Sequence, residues 1–238
     1  MYLSVIIPAY NEEKNIEKTV RSVFGYLKSR NIEHEIIVVT DGSTDKTADI
    51  VRLLKTELST LELIVLEKNM GKGFAVKTGM LKAKGDFRLF TDADNATTID
   101  HIEKMMPYFE KGYGVAIASI ALKESNVAVG SEPIWRRVFG KIGNLFIQIM
   151  AVPGIRDTQR GFKIFTAESA EKIFPKMTIE RWGFDIEALA LARKFNFNIK
   201  EVPVDWKNAP ESHVGLKAYF QVLIETIKIR WNLWTGKY

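Results

Sequence analysis

The chain has 238 residues, of which 46% are hydrophobic and 26% are charged, an ordinary balance for a globular protein of one large or two small domains. It contains no cysteine, which excludes disulfides, zinc–thiolate sites and cysteine nucleophiles. The formal net charge of +5 is too small to argue for nucleic acid, although it is compatible with phosphate ligands or an anionic membrane surface.

Strands and helices alternate along the first half of the chain. Continuous apolar runs predict strands, and apolar residues at helical spacing between those runs predict helices. The predicted strands are residues 3–10, 34–45, 61–69 and 86–94, and the predicted helices are residues 12–30, 43–58 and 71–85. Ser43 or Thr44 is expected to cap the second helix. Buried strands separated by amphipathic helices indicate an α/β fold with a mostly parallel central sheet and helices on both faces.

The second half of the chain is less regular. We predict a strand over residues 112–120, a long apolar helix over residues 133–152 and a late strand over residues 199–206.

Met1 leads directly into the first strand, so we expect no signal peptide. We also expect no membrane span, because no uncharged apolar run reaches about 18 residues.

Polar residues follow the predicted strands at the points where those strands end. In such sheets, ligands bind beyond the carboxyl ends of the strands. The residues expected at this edge are Pro8, Tyr10, Asn11 and Glu12 after the first strand, Asp41 after the second, Lys72 after the third, and Asp92 and Asp94 after the fourth. Their convergence on one edge predicts a ligand site there.

Two carboxylates end the apolar run "FRLFTDADNAT". Strand side chains alternate, so Asp92 and Asp94 are expected on the same face of an extended strand. Two carboxylates so close repel each other unless a cation or a proton lies between them. The pair suits Mg²⁺ or Mn²⁺, which usually combines one or two carboxylates with substrate phosphates, so a nucleoside diphosphate would complete the shell.

Each of these features also has a purely structural interpretation. Two acids after a strand often form no more than a polar turn, and Asp41 beside Gly42 is typical of turn chemistry. The Gly-Lys-Gly at residues 71–73 matches neither of the known glycine-rich phosphate motifs, and such a segment usually begins a helix. The three histidines, His34, His101 and His213, are scattered, and we expect them at the surface.

The combination of segments resembles a known family. Those segments are "VIIPAYNEEKNI", "IIVVTDGSTDKT", "NMGKGFAVKTGM", "DFRLFTDADNAT", "DTQRGFKIF", "RWGFDIEALALA" and "IKEVPVDWKNAPESHV". Together they resemble the family 2 inverting glycosyltransferases of the GT-A fold, which is Rossmann-like, over residues 2–215. Within that family they are most similar to the dolichyl-phosphate glucosyltransferases and mannosyltransferases.

The resemblance implies roles for the residues at the carboxyl edge. Pro8, Tyr10, Asn11 and Glu12 would line the nucleotide pocket, with Asp41 at the edge of the base and Lys72 near the base or diphosphate. Asp92 and Asp94 would hold Mg²⁺ or Mn²⁺, with Asp92 also binding nucleotide and Asp94 catalytic.

Two positions depart from the pattern of the relatives. The mannosyl members often carry Gln, a further metal ligand, where this chain has Ala96, which favours glucosyl transfer. Many relatives carry an Arg where this chain has Ile120, and Lys123 is a candidate substitute for that Arg.

The resemblance also implies an acceptor that is a lipid phosphate. Arginine donates bidentately to phosphate, so the candidate acceptor ligands are Arg136, Arg137 and Arg160. The alternative for the first two is an exposed helix face. Asp157, Gln159 and Asp185 would line the sugar pocket, or orient Arg160 and the backbone. Of these, the predicted catalytic residues are Arg136, Arg160 and Asp157.

The implied reaction is transfer of a hexose, from UDP-glucose by preference, to a dolichyl or polyprenyl phosphate with inversion at the sugar. The alternatives are a GDP-mannose-dependent enzyme, a soluble family 2 transferase that acts on a polysaccharide or protein, with Asp157 as its base, and a non-catalytic nucleotide-binding protein. The intact acidic pair and Lys72 argue against the last alternative.

A lipid acceptor requires contact with a membrane. Residues 134–154 and 216–238 combine apolar and basic residues, and Trp231 and Trp234 suit an interfacial position. The alternative is a helix pair that packs into the protein's own core. We therefore expect a cytoplasmic protein bound peripherally to the cytoplasmic face of a membrane.

We expect a single domain over residues 1–238, with a nucleotide-binding half (1–120), an acceptor and sugar half (121–212) and a C-terminal amphipathic helix (213–238).

Overall fold

The structure is a computed structural model that describes residues 2–125, 134–205 and 216–238, with the backbone alone given for 134–139, 141 and 216. The strands are β1 (Tyr2–Ala9), β2 (Glu33–Asp41), β3 (Leu61–Leu66), β4 (Phe87–Thr91), β5 (Val115–Ser119), β6 (Phe162–Thr166) and β7 (Ile199–Pro203). The helices are α1 (Ile16–Ser29), α2 (Thr47–Glu57), α3 (Lys72–Lys82), α4 (Ile102–Phe109), α5 (Ile134–Met150), α6 (Ala167–Ile173), α7 (Phe184–Lys194) and α8 (Leu216–Trp234).

The described strands form one seven-stranded sheet in the order β3-β2-β1-β4-β6-β5-β7. Strands β3, β2, β1 and β4 are parallel, and β7 is parallel to β5. Strand β6 runs antiparallel to both of its neighbours, β4 and β5. The prediction of an α/β fold with a mostly parallel sheet is therefore confirmed, whereas β6 was not predicted.

The sheet is covered by helices on both faces. Alternate residues of β1 enter different cores, because successive side chains of a strand point to opposite faces. Ile6 belongs to the core cluster that includes residues of α3, α5, α7 and α8, whereas Val5 and Ile7 belong to the cluster that includes residues of α1, α2 and α4. Within the described ranges, none of the helices combines the length and the apolar character needed to cross a bilayer.

Three local predictions were wrong. Strand β4 ends at Thr91, so Asp92 and Asp94 lie in a turn in which Asn95 has φ of 55°. Helix α2 begins at Thr47, not after Ser43 or Thr44, and Asp45 accepts a hydrogen bond from the Thr47 backbone N–H at 2.9 Å.

His101 is buried, contrary to the expected surface position, with 4% of its surface exposed. Its Nε2 accepts a hydrogen bond from the backbone N–H of Asp205 at 3.0 Å. His101 lies directly before α4, a helix that packs against β5 and β7. His34 is partly buried, and His213 lies outside the described residues.

Candidate active site

The loops after β1 and β2 are joined by hydrogen bonds at the carboxyl edge. The backbone N–H of Asn11 donates to Ser43 Oγ at 3.1 Å, and Asn11 Oδ1 accepts from the Thr44 backbone N–H at 2.9 Å. Asn11 takes a left-handed backbone conformation, with φ of 55°, which asparagine tolerates better than most residues. Pro8 is buried at the end of β1, while Tyr10 is 47% exposed beside this junction. The predicted nucleotide-binding residues after β1 are therefore brought to one edge.

Asp41 connects the end of β2 to the loop that precedes α3. Its two carboxylate oxygens accept hydrogen bonds from the backbone N–H groups of Met70 at 2.7 Å and Gly71 at 2.8 Å. The residue is buried, so its carboxylate shapes the loop that carries Lys72. The predicted contact of Asp41 with the base stays a prediction.

Gly71 and the start of α3 pack closely against residues 179–184, at the beginning of α7. Gly71 has φ of 110°, and a Cβ there would lie 2.4 Å from the carbonyl oxygen of Glu180. A Cβ on Gly73 would lie 2.6 Å from Cβ of Phe184. Both glycines are therefore required by close backbone approach, which brings Lys72 toward the start of α7.

Lys72 forms an ion pair with the first aspartate of the acidic pair. Its Nζ lies 2.6 Å from Asp92 Oδ1, and 26% of the lysine side chain is exposed. Burial alone would lower the pKa of Lys72, but Asp92, and beyond it Asp185 and Asp94, outweigh burial and raise that pKa. The ammonium group is therefore charged and lies against the acidic pair.

Asp94 lies close enough to Asp92 for the two carboxylates to interact. Its Oδ1 accepts a hydrogen bond from the Ala96 backbone N–H at 2.9 Å. Burial, and then the negative charge of Asp92, raises the pKa of Asp94. The two carboxylates therefore still share one electrostatic environment, although they lie in a turn and not on a strand.

Gly161, which directly precedes the unpredicted strand β6, supports Asp92. The Asp92 backbone N–H donates to the Gly161 carbonyl at 3.1 Å, and a Cβ on Gly161 would lie 2.0 Å from Asp92 Oδ2. Any larger residue would displace the carboxylate. The sequence carries a signal for this role, because Gly161 lies within the "DTQRGFKIF" segment, but the partner of that glycine is 69 positions away along the chain.

Lys163 and Asp185 form a buried ion pair behind this surface. Their side chains are 0% and 5% exposed, and Lys163 Nζ lies 2.5 Å from Asp185 Oδ1. Lys163 also donates to the carbonyl oxygen of Arg160. Burial raises the pKa of Asp185, while Lys163 and Lys72 act in the opposite direction. Asp185 is therefore bound to Lys163, a residue that the sequence analysis missed, and it shares the electrostatic environment of Lys72.

Asp157 joins the predicted acceptor residues to the end of β5. Its Oδ2 accepts from Arg160 Nε at 3.1 Å and from the Ile120 backbone N–H at 3.0 Å. Glu201 on β7, also missed by sequence reasoning, accepts at 3.0 Å from the Asp157 backbone N–H. Asp157 thus orients Arg160, one of the two alternatives predicted for it.

Gln159 and Lys123 are exposed. The backbones of Arg136 and Arg137 belong to α5, but their side chains lie outside the described residues.

The donor set of the acidic pair suits a divalent metal ion that is shared with a ligand. Asp92 Oδ1 is buried and accepts no hydrogen bond from any residue that the structure describes; its contact is the ion pair with Lys72. No group of three or more His, Asp or Glu side chains arranged to hold a metal occurs in the described ranges. Mg²⁺ and Mn²⁺ can bind to one or two carboxylates and take their other ligands from water and phosphate, and Asp92 and Asp94 would fit such a site.

The fold and the site together define an α/β protein whose ligand site lies at the carboxyl edge of a mostly parallel sheet. Residues 4–174 match the glycosyl transferase family 2, and the chain belongs to that family. Its enzyme class is therefore glycosyltransferase, and the predicted family resemblance is confirmed.

Curated relatives share most of their length with this chain. Dolichyl-phosphate beta-glucosyltransferase of Dictyostelium discoideum is 36% identical over 99% of this chain and 76% of its own length. The protein of the same name from Homo sapiens is 33% identical over 98% of this chain and 76% of its own length.

Solved structures agree in fold. Glucosyl-3-phosphoglycerate synthase from Mycobacterium tuberculosis, crystallised with Mn²⁺, UDP and phosphoglyceric acid, matches with a TM-score of 0.71 and 19% identity. The match covers 96% of this chain and 78% of that one. The same synthase has been crystallised with Mg²⁺ and UDP. At this identity, the likeness concerns the fold alone.

Proposed function

We propose that this protein transfers glucose from UDP-glucose to a dolichyl or related polyprenyl phosphate, with inversion, to give a lipid-linked β-glucosyl phosphate. The observation that carries the proposal is the Lys72–Asp92 ion pair beside Asp94 at the carboxyl edge, where a diphosphate would meet both a lysine and two carboxylates. The relatives named dolichyl-phosphate beta-glucosyltransferase support the choice of sugar and acceptor. Ala96, which offers no metal ligand, agrees with glucosyl rather than mannosyl transfer.

The chemistry follows from the charge of the acceptor. A phosphate monoester has a second pKa of about 6, so it is a dianion near neutral pH and no side chain needs to remove a proton from it. One of its oxygens forms the new bond to the anomeric carbon as the bond from that carbon to UDP breaks, and the electron pair leaves with UDP. The protein's task is to position the two anions and to neutralise the charge that develops.

The residues of the site divide this task between them. Mg²⁺ or Mn²⁺ bound by Asp92 and Asp94 would neutralise charge on the departing diphosphate. Lys72 adds a second positive charge on the donor side. Arg160 would bind the acceptor phosphate, because Asp157 orients its guanidinium next to the end of β5. Pro8, Tyr10, Asn11, Glu12 and Asp41 would form the nucleotide pocket, with Gln159 and Asp185 toward the sugar and Arg136 and Arg137 toward the acceptor.

A membrane surface would bring the lipid phosphate to this site. The exposed apolar residues of α8 form one stripe at helical spacing: Phe220, Ile224, Ile227, Trp231 and Trp234. A second stripe on α5 consists of Ile142, Leu145 and Ile149. Where the two helices meet, Met150, Ile227 and Trp231 line an apolar hollow of about 240 Å³.

The charges on α8 suit an anionic lipid surface. Lys217, Lys228 and Arg230 are exposed, and the single acidic residue between positions 216 and 238, Glu225, accepts a hydrogen bond from the backbone N–H of Gly183. Basic and aromatic residues around an apolar stripe are typical of a helix that lies in a membrane interface. We therefore propose peripheral attachment at the cytoplasmic face of a membrane, with residues 1–120 binding nucleotide, 121–212 binding sugar and acceptor, and 213–238 contacting lipid.

Calorimetry with UDP and GDP in the presence of Mn²⁺, followed by turnover of UDP-glucose and GDP-mannose with a short polyprenyl phosphate, tests the proposal. We expect tighter binding of UDP and transfer from UDP-glucose alone. Tighter binding of GDP, with transfer from GDP-mannose, would replace the proposed sugar and leave the class of reaction intact. Transfer to free sugars but not to the lipid phosphate would contradict the proposed acceptor.

A further inference from the structure

We propose that the Lys72 ammonium group competes with the divalent metal ion for the Asp92 carboxylate. When a nucleoside diphosphate binds, Lys72 pairs with the diphosphate instead, and Asp92 becomes available to the metal ion. This inference rests on the proposed function and assigns Lys72 a regulatory part in the same site.

The first step concerns the oxygen that both cations require. Lys72 Nζ lies 2.6 Å from Asp92 Oδ1, and that oxygen is buried without a hydrogen bond to any described residue. A metal ion on Asp92 must bind this oxygen or its partner Oδ2, which lies against Gly161. The ammonium group therefore competes directly with the metal for Oδ1.

The second step concerns the net charge of the cluster. Lys72 and Lys163 share this region with Asp92, Asp94 and Asp185, and with all five groups ionised the cluster carries one net negative charge. A divalent ion added alone would make the cluster positive. A diphosphate that binds together with the ion brings additional negative charge, and it gives Lys72 a new anionic partner when Lys72 leaves Asp92.

The third step concerns the alternative partner of Lys72. Asp185 interacts with Lys72 through its charge, but its carboxylate is already bound to Lys163 at 2.5 Å in a buried pair. A diphosphate is the stronger new partner, since the flexible lysine stem carries a compact charge that can turn toward it. Binding of metal and nucleotide should therefore be mutually favourable, and such coupling is reciprocal by necessity.

The experiment measures Mn²⁺ binding by electron paramagnetic resonance, with and without UDP, in the wild-type protein, Lys72→Met and Lys68→Met. Lys68 lies in the loop that precedes α3 and is exposed, so its variant removes the same unit charge without touching Asp92. An opposite charge at this separation changes the cation affinity of a carboxylate by about tenfold or more. Without UDP, we expect Lys72→Met to bind Mn²⁺ at least about tenfold more tightly than the wild type does. We also expect UDP to increase the Mn²⁺ affinity of Lys72→Met much less than it increases that of the wild type.

Three outcomes distinguish a failure of this inference from a failure of the proposed function. Equal Mn²⁺ affinity of wild type and Lys72→Met without UDP overturns the inference, provided that the wild type binds Mn²⁺ with UDP. An equal increase of Mn²⁺ affinity in Lys68→Met also overturns it, because the effect is then due to the overall charge of the protein. Absence of Mn²⁺ binding to the wild type even with UDP contradicts the metal part of the proposed function itself. Thermal unfolding of each variant verifies that it is folded.

Discussion

At the scale of single residues, the position of Asp92 depends on the absence of a side chain at Gly161. A Cβ there would lie 2.0 Å from Asp92 Oδ2, inside any permitted contact distance. The carboxylate itself is tied to Lys72, and its backbone is bonded to Gly161. Asp92 is thus positioned by a glycine that directly precedes β6, in the other half of the chain.

Gly161→Ala should therefore damage the site more than the fold. The added methyl displaces the Asp92 carboxylate, and a small misplacement of a charged group in an active site is costly, so we expect glucosyl transfer to fall at least about tenfold. Gly25→Ala on α1 is the matched control, because a Cβ there meets nothing within 4 Å. We expect that control to keep full activity and to stabilise the helix by about 0.5–1 kcal/mol. Wild-type transfer rates in Gly161→Ala would contradict the proposed role of this contact.

Asp157 and Arg160 should respond differently to substitution. Because the acceptor phosphate is already ionised, Asp157→Asn should not cause the loss of about 100-fold or more that is expected when a general base is removed. Arg160→Gln should instead raise the KM for the acceptor about tenfold, with the KM for the donor unchanged. In both variants, as in the wild type, the rate should rise with pH through a value of about 6, as the acceptor becomes a dianion.

Steady-state kinetics with a short polyprenyl phosphate measure both effects. An inactive Asp157→Asn beside a normal Arg160→Gln would favour the alternative of a soluble transferase with Asp157 as its base.

At the scale of elements, α8 has two faces with different roles. Its inner face buries Val222, Thr226 and Ile229 against the core, whereas its outer face leaves the stripe from Phe220 to Trp234 exposed. An amphipathic helix usually covers its apolar side, so a second, exposed apolar stripe indicates a further contact.

The double variant Ile224→Glu/Trp231→Glu should bind anionic vesicles at least about tenfold more weakly than the wild type, because it places two carboxylates in the apolar stripe. Leu53→Glu on α2 is the control, since Leu53 is equally exposed, at 65% against 68% for Ile224, on the opposite face of the sheet. Cosedimentation with vesicles that contain phosphatidylserine measures the binding. Unchanged binding of the double variant would rule out this surface.

At the scale of the whole molecule, α8 also connects the proposed membrane surface to the active site. Glu225 Oε2 accepts a hydrogen bond from the Gly183 backbone N–H at 2.6 Å, two residues before Asp185. Tyr238 donates to Glu187 Oε1 at 2.5 Å, and Glu187 accepts from the backbone N–H groups of Thr178 and Ile179. The C-terminal segment therefore supports the part of the chain that packs against Gly71 and Gly73.

Glu225→Ala should lower the free energy of unfolding by about 1–3 kcal/mol, because it leaves a partly buried backbone N–H without its acceptor. Glu168→Ala breaks an exposed pair with Lys172 on α6 and should cost at most about 1 kcal/mol. Urea unfolding of the two variants gives the comparison. Equal stability would mean that the start of α7 does not depend on α8.

The sequence by itself determined the alternation of strands and helices, the acidic pair at the end of β4 and the mixture of apolar and basic residues in α5 and α8. These features depend on local periodicity and on residues that are neighbours in the chain. The family resemblance also followed from short segments, and it named the residues of the carboxyl edge in advance.

Only the tertiary structure decided which of those residues meet, because their contacts join distant parts of the chain. Strand β6 has five residues and a weak local signal, yet its place between β4 and β5 brings Gly161 to Asp92 and Lys163 to Asp185. The sequence suggests only a turn at Asp41. In the structure, β2 ends beside the loop that precedes α3, so Asp41 accepts hydrogen bonds from the backbone of that loop. Burial of a charge is tolerated only where a partner is present, and that partner is supplied by packing rather than by local sequence.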